Sequence, residues 1–146
     1  KADYRDKRVL LAEDNEINRE IARELVGESG VVIEEACDGA EAVRMVRESE
    51  EGYYDLILMD IQMPEMDGYE ATREIRALER QDVKRLPIVA MTANAFAEDV
   101  QAACRAGMNA HLAKPIDLNE LERILKQYLS EGNAMEERPG KGVGTV

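Results

Sequence analysis

Five short apolar runs, each followed by a segment of helical period, constrain the fold of this chain more than any other feature. RVLLAED (8–14) opens the series, and VVIEEA (31–36), more polar and so nearer an edge, is second. YDLILMD (54–60), LPIVAMTA (86–93) and NAHLAK (109–114) follow. Between them apolar residues recur every three or four positions. Ile17, Ile21 and Leu25 share one helix face behind a potential cap at Asn15, and Ala42, Val43 and Val46 follow Asp38-Gly39. Ala71, Ile75 and Leu78 follow Gly68, and a helix over about 97–106 stops at Gly107. Leu118, Leu121, Leu125 and Tyr128 form the last stripe, opened by a capping-box pattern at Asp117 and Glu120. Five strands alternating with five helices predict an α/β domain with a parallel sheet covered on both faces. Ligands in such sheets bind beyond the carboxyl ends of the strands.

Those ends carry the chemistry. Leu56, Ile57, Leu58 and Met59 read as a strand buried on both faces, yet the run stops on Asp60, a side chain that proteins rarely bury alone. The first strand ends in Glu13-Asp14, the fourth in Thr92 and the fifth in Lys114. In a parallel sheet these residues converge on one edge. Three neighbouring carboxylates repel one another unless a cation neutralises them. With no histidine or thiolate among the donors, a hard ion such as magnesium suits the set, with manganese as the alternative. Lys114 would neutralise a phosphoryl oxygen and the Thr92 hydroxyl could donate to another. A carboxylate nucleophile in such company suits formation of an aspartyl phosphate.

Composition narrows the partners. Against 19 Lys and Arg stand 31 Asp and Glu, a formal net charge of −12 that argues against nucleic acid and against direct contact with an anionic membrane. No apolar stretch approaches the ~20 residues of a membrane span, and no signal-peptide pattern opens the chain. Two distant cysteines and one histidine make zinc and a disulfide framework poor expectations. Reduced thiols in a cytoplasmic setting fit better, with Cys104 predicted to be packed. The chain begins at Lys1, which suggests a segment of something larger. Residues 1–6 are expected to be a linker, 7–130 one domain, and the Gly-, Pro- and charge-rich 131–146 a flexible tail or expression remnant.

The segments LLAEDNEINR, DGAEAV, YDLILMDIQMPEMDGYEATREIR, PIVAMTANA and AGMNAHLAKPID, in this order and spacing, resemble the receiver domain of two-component response regulators. The wording of EDNEINR, MDIQMPEMDG and MTANAF is most similar to receivers of hybrid sensor histidine kinases. The resemblance implies a flavodoxin-like doubly wound (βα)5 fold with strand order 2-1-3-4-5. It makes Asp60 the phospho-acceptor and Asp14 a direct metal ligand, with Glu13 acting through a metal-bound water and Gln62 lending its backbone carbonyl. It makes Lys114 the phosphoryl-binding lysine, with a cis bond to Pro115, and Thr92 the switch hydroxyl. Gln62 and Asn94 fall at positions that influence phosphoryl lifetime. His111 falls where the family usually carries a switch aromatic, Tyr or Phe; a half-buried strand histidine without a switching role is the alternative.

The implied partners are a histidine kinase core or a histidine phosphotransfer protein. The implied location is cytoplasmic, with a parent chain that can be anchored in the inner membrane. The receiver catalyses its own acylation, so whether to class it as an enzyme stays open. A freestanding regulator is the nearest alternative. A phosphohydrolase would place its nucleophile on the first strand, and a receiver that no longer takes phosphate would not need the full set Glu13, Asp14, Asp60, Thr92 and Lys114.

Overall fold

The computed structural model describes residues 4–93 and 97–130. Its strands are β1 (Arg8–Ala12), β2 (Val32–Ala36), β3 (Leu56–Asp60), β4 (Ile88–Thr92) and β5 (Ala110–Ala113). They form one parallel sheet in the order β2-β1-β3-β4-β5, the flavodoxin-like arrangement, with β3 at its centre. The helices are α1 (Glu16–Gly27), α2 (Gly39–Glu48), α3 (Gly68–Arg76), α4 (Asp82–Arg85), α5 (Ala97–Ala106) and α6 (Leu118–Leu129).

Side-chain alternation along each strand sorts the core into two layers. Leu10, Ile57, Met59, Ile88 and Ala90 point to one face, where α2, α3 and α5 add Val46, Ile75 and Ala103. Val9, Leu11, Leu58, Val89 and Met91 point to the other, where α1 and α6 add Ala22, Val26, Leu121 and Leu125. Because β3 and β4 are buried on both faces at every residue, they read as continuous apolar runs. Tyr4, which the composition assigns to a linker, is buried in the second layer.

Among the described residues there are six helices against the five predicted. The extra turn, α4, has only four residues and no apolar period to betray it. Arg80 holds the segment leading into it: its guanidinium donates to the carbonyls of Val46 and Ser49 at 2.8 Å each and pairs with Asp82 at 2.7 Å. Among the described residues, no helix is long and apolar enough to cross a membrane.

Candidate active site

The register brings the strand ends to one level: Ala12 lies beside Met59, Asp60 beside Met91 and Thr92 beside Ala113. The next residues of β1 and β5, Glu13 and Lys114, therefore flank Asp60 and Thr92. Glu13, Asp60 and Thr92 are all buried. Lys114 Nζ stands 3.1 Å from both Asp60 Oδ1 and Glu13 Oε1. One carboxylate oxygen from each of Glu13, Asp14 and Asp60 lies within 4.8 Å of the others, and only Asp14 is solvent-exposed.

The electrostatics follow from this crowding. Burial pushes the Asp60 carboxyl up to about 7, and the Glu13 charge adds to it; the Lys114 ammonium only partly offsets them. Burial alone would lower the Lys114 pKa, but Asp60 and Glu13 together hold it above its ordinary value. The site thus has more negative charge than its lysine can compensate. Oxygen donors of this number and hardness fit a divalent cation of the magnesium class.

Neighbouring elements fix each side chain. The Asn15 N–H donates to Glu13 Oε2 at 3.2 Å, while the Asn15 side chain caps α1 by accepting from the Asn18 N–H at 2.9 Å. Arg19 donates to the Glu13 carbonyl at 2.8 Å and also to Glu35 of β2. Sequence reasoning missed Arg19, because a partner that is a backbone carbonyl leaves no pattern in residue type. On the far side of Asp60, the Gly68 N–H bonds the Ile61 carbonyl at 2.8 Å. A Cβ on residue 68 would stand 2.3 Å from the Asp60 carbonyl oxygen, so only glycine lets α3 start this close to the nucleophile's backbone. The helix is then opened by a reciprocal capping box between Asp67 and Glu70.

Glu13, Asp14, Asp60, Gln62, Thr92, Lys114 and Pro115 line one open cleft. The Lys114–Pro115 bond is cis. His111 is half-buried on β5, beside Ala90, and does not line that cleft. By strand alternation it shares with Thr92 the sheet face that α5 covers. Asn94 lies outside the described residues.

Two sequence expectations need correction. The stripe Ile17–Ile21–Leu25 is not the buried face of α1: Ile17 is 68% and Ile21 51% exposed, and Ala22 and Val26 make the core contact instead. Cys104 is exposed, not packed, because α5 turns its neighbours Ala103 and Ala106 inward.

A model described as the response regulator receiver domain matches residues 9–126. The chain is 42% identical over 134 residues to hybrid signal transduction histidine kinase B of Dictyostelium discoideum, covering 85% of this chain but 7% of that protein. Among solved structures it is similar to the receiver domain of a sensor histidine kinase from Pseudomonas aeruginosa, determined with a magnesium ion coordinated in the active-site cleft. That match has a TM-score of 0.76 and 42% identity, over 86% of this chain and 98% of the other. It is also similar to the receiver domain of the Saccharomyces cerevisiae response regulator Ssk1, co-crystallised with the histidine phosphotransfer protein Ypd1. There the TM-score is 0.74 and the identity 28%, over 91% and 92% of the two chains. The chain belongs to the response regulator receiver domain family.

Proposed function

We propose that this domain accepts a phosphoryl group from a phosphohistidine onto Asp60, as the receiver segment of a hybrid sensor histidine kinase. The observation that carries the reading is Lys114 Nζ at 3.1 Å from Asp60 Oδ1, within a group of three carboxylates at the carboxyl edge of the sheet. Asp14, Asp60, the Gln62 carbonyl and Glu13 (through water) would hold the metal. Bound magnesium would neutralise the carboxylates and the phosphoryl oxygens, leaving an Asp60 oxygen free to attack. In the transfer, an Asp60 carboxylate oxygen forms the new bond to phosphorus as the phosphorus–nitrogen bond breaks, and the departing imidazole keeps the electron pair. Lys114 balances charge on one phosphoryl oxygen, and the Thr92 hydroxyl donates to another.

The exposed Ile17 and Ile21 suggest where the donor docks. Ile21 lines the cleft together with Pro115 and Ile116, so the apolar strip on α1 runs directly into the site. Glu16, Glu20 and Glu24 flank it, all exposed. A helical phosphotransfer protein with an apolar patch bordered by basic residues would complement this surface. The Ssk1 receiver's co-crystal with Ypd1 supports a partner of that class.

The test is incubation with magnesium and acetyl phosphate, followed by intact mass. One base-labile phosphoryl adduct on the wild type and none on Asp60→Asn is the expected result. No adduct on folded wild type would sink the reading, and rapid turnover of unrelated phosphate esters would point to a hydrolase.

A further inference from the structure

Glu13 is bonded at its N–H, at both carboxylate oxygens and at its carbonyl. The N–H donates to the Ala36 carbonyl of β2 at 3.1 Å. Oε1 meets the Lys114 ammonium at 3.1 Å, and Oε2 accepts the Asn15 N–H at 3.2 Å. The last bond acts further along the chain: Arg19 Nη1 donates to the Glu13 carbonyl at 2.8 Å. That carbonyl belongs to the peptide unit joining Glu13 to Asp14. A peptide is planar, so a bond to its oxygen fixes the Cα from which the Asp14 side chain leaves. Asp14 itself is exposed, and among the described residues no bond holds its carboxylate. Its direction is therefore inherited from its backbone.

Arg19 reaches this carbonyl because of its place on α1. It lies one turn after the cap Asn15, whose carbonyl accepts the Arg19 N–H at 2.8 Å. Helical side chains lean back towards the N-terminus, which brings the guanidinium over the turn between β1 and α1. Glu35 then orients it. Glu35 lies beside Leu11 in the β1–β2 register, so it stands on the sheet face that α1 covers. Its Oε1 accepts from Arg19 Nε at 3.2 Å, and its Oε2 pairs with Arg23 Nη1 at 2.8 Å. The Arg19 side chain is 16% exposed against 44% for Arg23, so the pair nearer the site is the better shielded. A planar guanidinium anchored at one nitrogen presents the next in a fixed direction.

We propose that Arg19 is a positioning residue for the metal: oriented by Glu35 and bonded to the Glu13 carbonyl, it fixes the Glu13–Asp14 peptide and so keeps the Asp14 carboxylate beside those of Glu13 and Asp60. The role rests on the receiver reading above, which puts a magnesium-class cation on these residues. Charge and position act here in opposite directions. As a positive charge near the site Arg19 repels the cation, so its removal would tighten binding. As the residue that holds the peptide, its removal loosens binding. The sign of the change separates the two.

Isothermal titration of magnesium into the full 146-residue chain, with no phosphoryl donor present, reads that sign. Arg19→Gln should weaken binding about tenfold. Glu35→Gln should also weaken it, and adding Glu35→Gln to Arg19→Gln should cost nothing more, since Glu35 acts through Arg19. Arg23→Gln removes a like charge from the same carboxylate without reaching Glu13, and should stay within about twofold of the wild type. Arg19→Lys keeps the charge but offers one nitrogen to two acceptors, and should lose at least about threefold. It decides the outcome if metal-free urea denaturation shows that Arg19→Gln does not fold. In phosphorylation by acetyl phosphate, the Arg19→Gln defect should appear chiefly as a higher half-saturating magnesium concentration, which a merely loosened fold would not show. Equal or tighter magnesium binding in either Arg19 variant would overturn the role. So would a further loss on adding Glu35→Gln, a loss in Arg23→Gln as large as in Arg19→Gln, or a rate defect that saturating magnesium leaves in place. A wild type that binds no magnesium would overturn the receiver reading itself, and the role with it.

Discussion

Lys114 Nζ lies 3.1 Å from Asp60 Oδ1, the end of β5 meeting the end of β3 across β4. The same ammonium is equally close to Glu13 Oε1, so one cation bridges two buried carboxylates on different strands. This answers why the most apolar strand of the chain ends in an aspartate. The buried run fixes the position of Asp60, and the charge is met from the neighbouring strand ends rather than by solvent.

The bridge does not fully compensate, and that has a pH signature. The Asp60 carboxyl is raised to about 7, so the folded state takes up its proton more readily than the unfolded chain does. Its contribution to stability is therefore fully present below the ordinary carboxylate range and lost as pH rises through about 7. In metal-free buffer, Asp60→Asn should be more stable than the wild type at pH 8, and this advantage should shrink towards pH 5. Urea denaturation at the two pH values measures it; a difference independent of pH would show that Asp60 is not strained by its surroundings. Added magnesium should stabilise the wild type more at pH 8 than at pH 5.

Gly68 makes a second, steric prediction. With a Cβ 2.3 Å from the Asp60 carbonyl oxygen, Gly68→Ala must displace either the start of α3 or the end of β3. A cost of about 3 kcal/mol is expected, with phosphorylation by acetyl phosphate slowed at least roughly tenfold as the nucleophile moves. Intact-mass time courses and thermal melts read the two effects separately. A variant that phosphorylates at the wild-type rate would show that the position of Asp60 tolerates the shift.

How much of this was legible in the sequence varies with the range of the interaction. Asp60, Thr92 and Lys114 stand out because an apolar run that stops on a polar residue is a local pattern, and parallel strands must bring such ends together. The strand order came from the resemblance, since no local pattern encodes it. Arg19 and Gly68 were opaque as parts of the site, because each acts on backbone carbonyl groups, which leave no trace in residue type. The Ile17–Ile21 stripe misled for the opposite reason. Its four-residue spacing is real, but apolar spacing cannot distinguish a face that packs on the sheet from one left to solvent, and here Ala22 and Val26 take the sheet.

Thr72 offers a test unrelated to the site. It is fully buried in α3, and its hydroxyl has no hydrogen-bond partner among the described residues. Burying an unsatisfied hydroxyl costs stability, and valine has nearly the same shape without it. Thr72→Val should therefore stabilise the domain by about 1 kcal/mol, raising the melting temperature by roughly 4 °C. A lower melting temperature would mean that the hydroxyl has a partner worth keeping.

Lys114 separates two roles that the geometry combines. Removing its ammonium leaves Glu13 and Asp60 facing each other with no cation, so Lys114→Ala should destabilise the metal-free domain. Because the lysine is partly exposed, the expected loss is about 2 kcal/mol, below that of a fully buried pair. Magnesium should restore most of that loss, since Asp14, Asp60 and Glu13 still supply its oxygen donors. The variant should still gain a phosphoryl group from acetyl phosphate, more slowly, but hydrogen exchange in β4, α5 and β5 should no longer respond to it. Lys114 ties β5 to the phosphoryl position through its charge, and its N–H also bonds the Thr92 carbonyl at 2.8 Å. A wild-type exchange response in phosphorylated Lys114→Ala would show that the signal leaves Asp60 by another route.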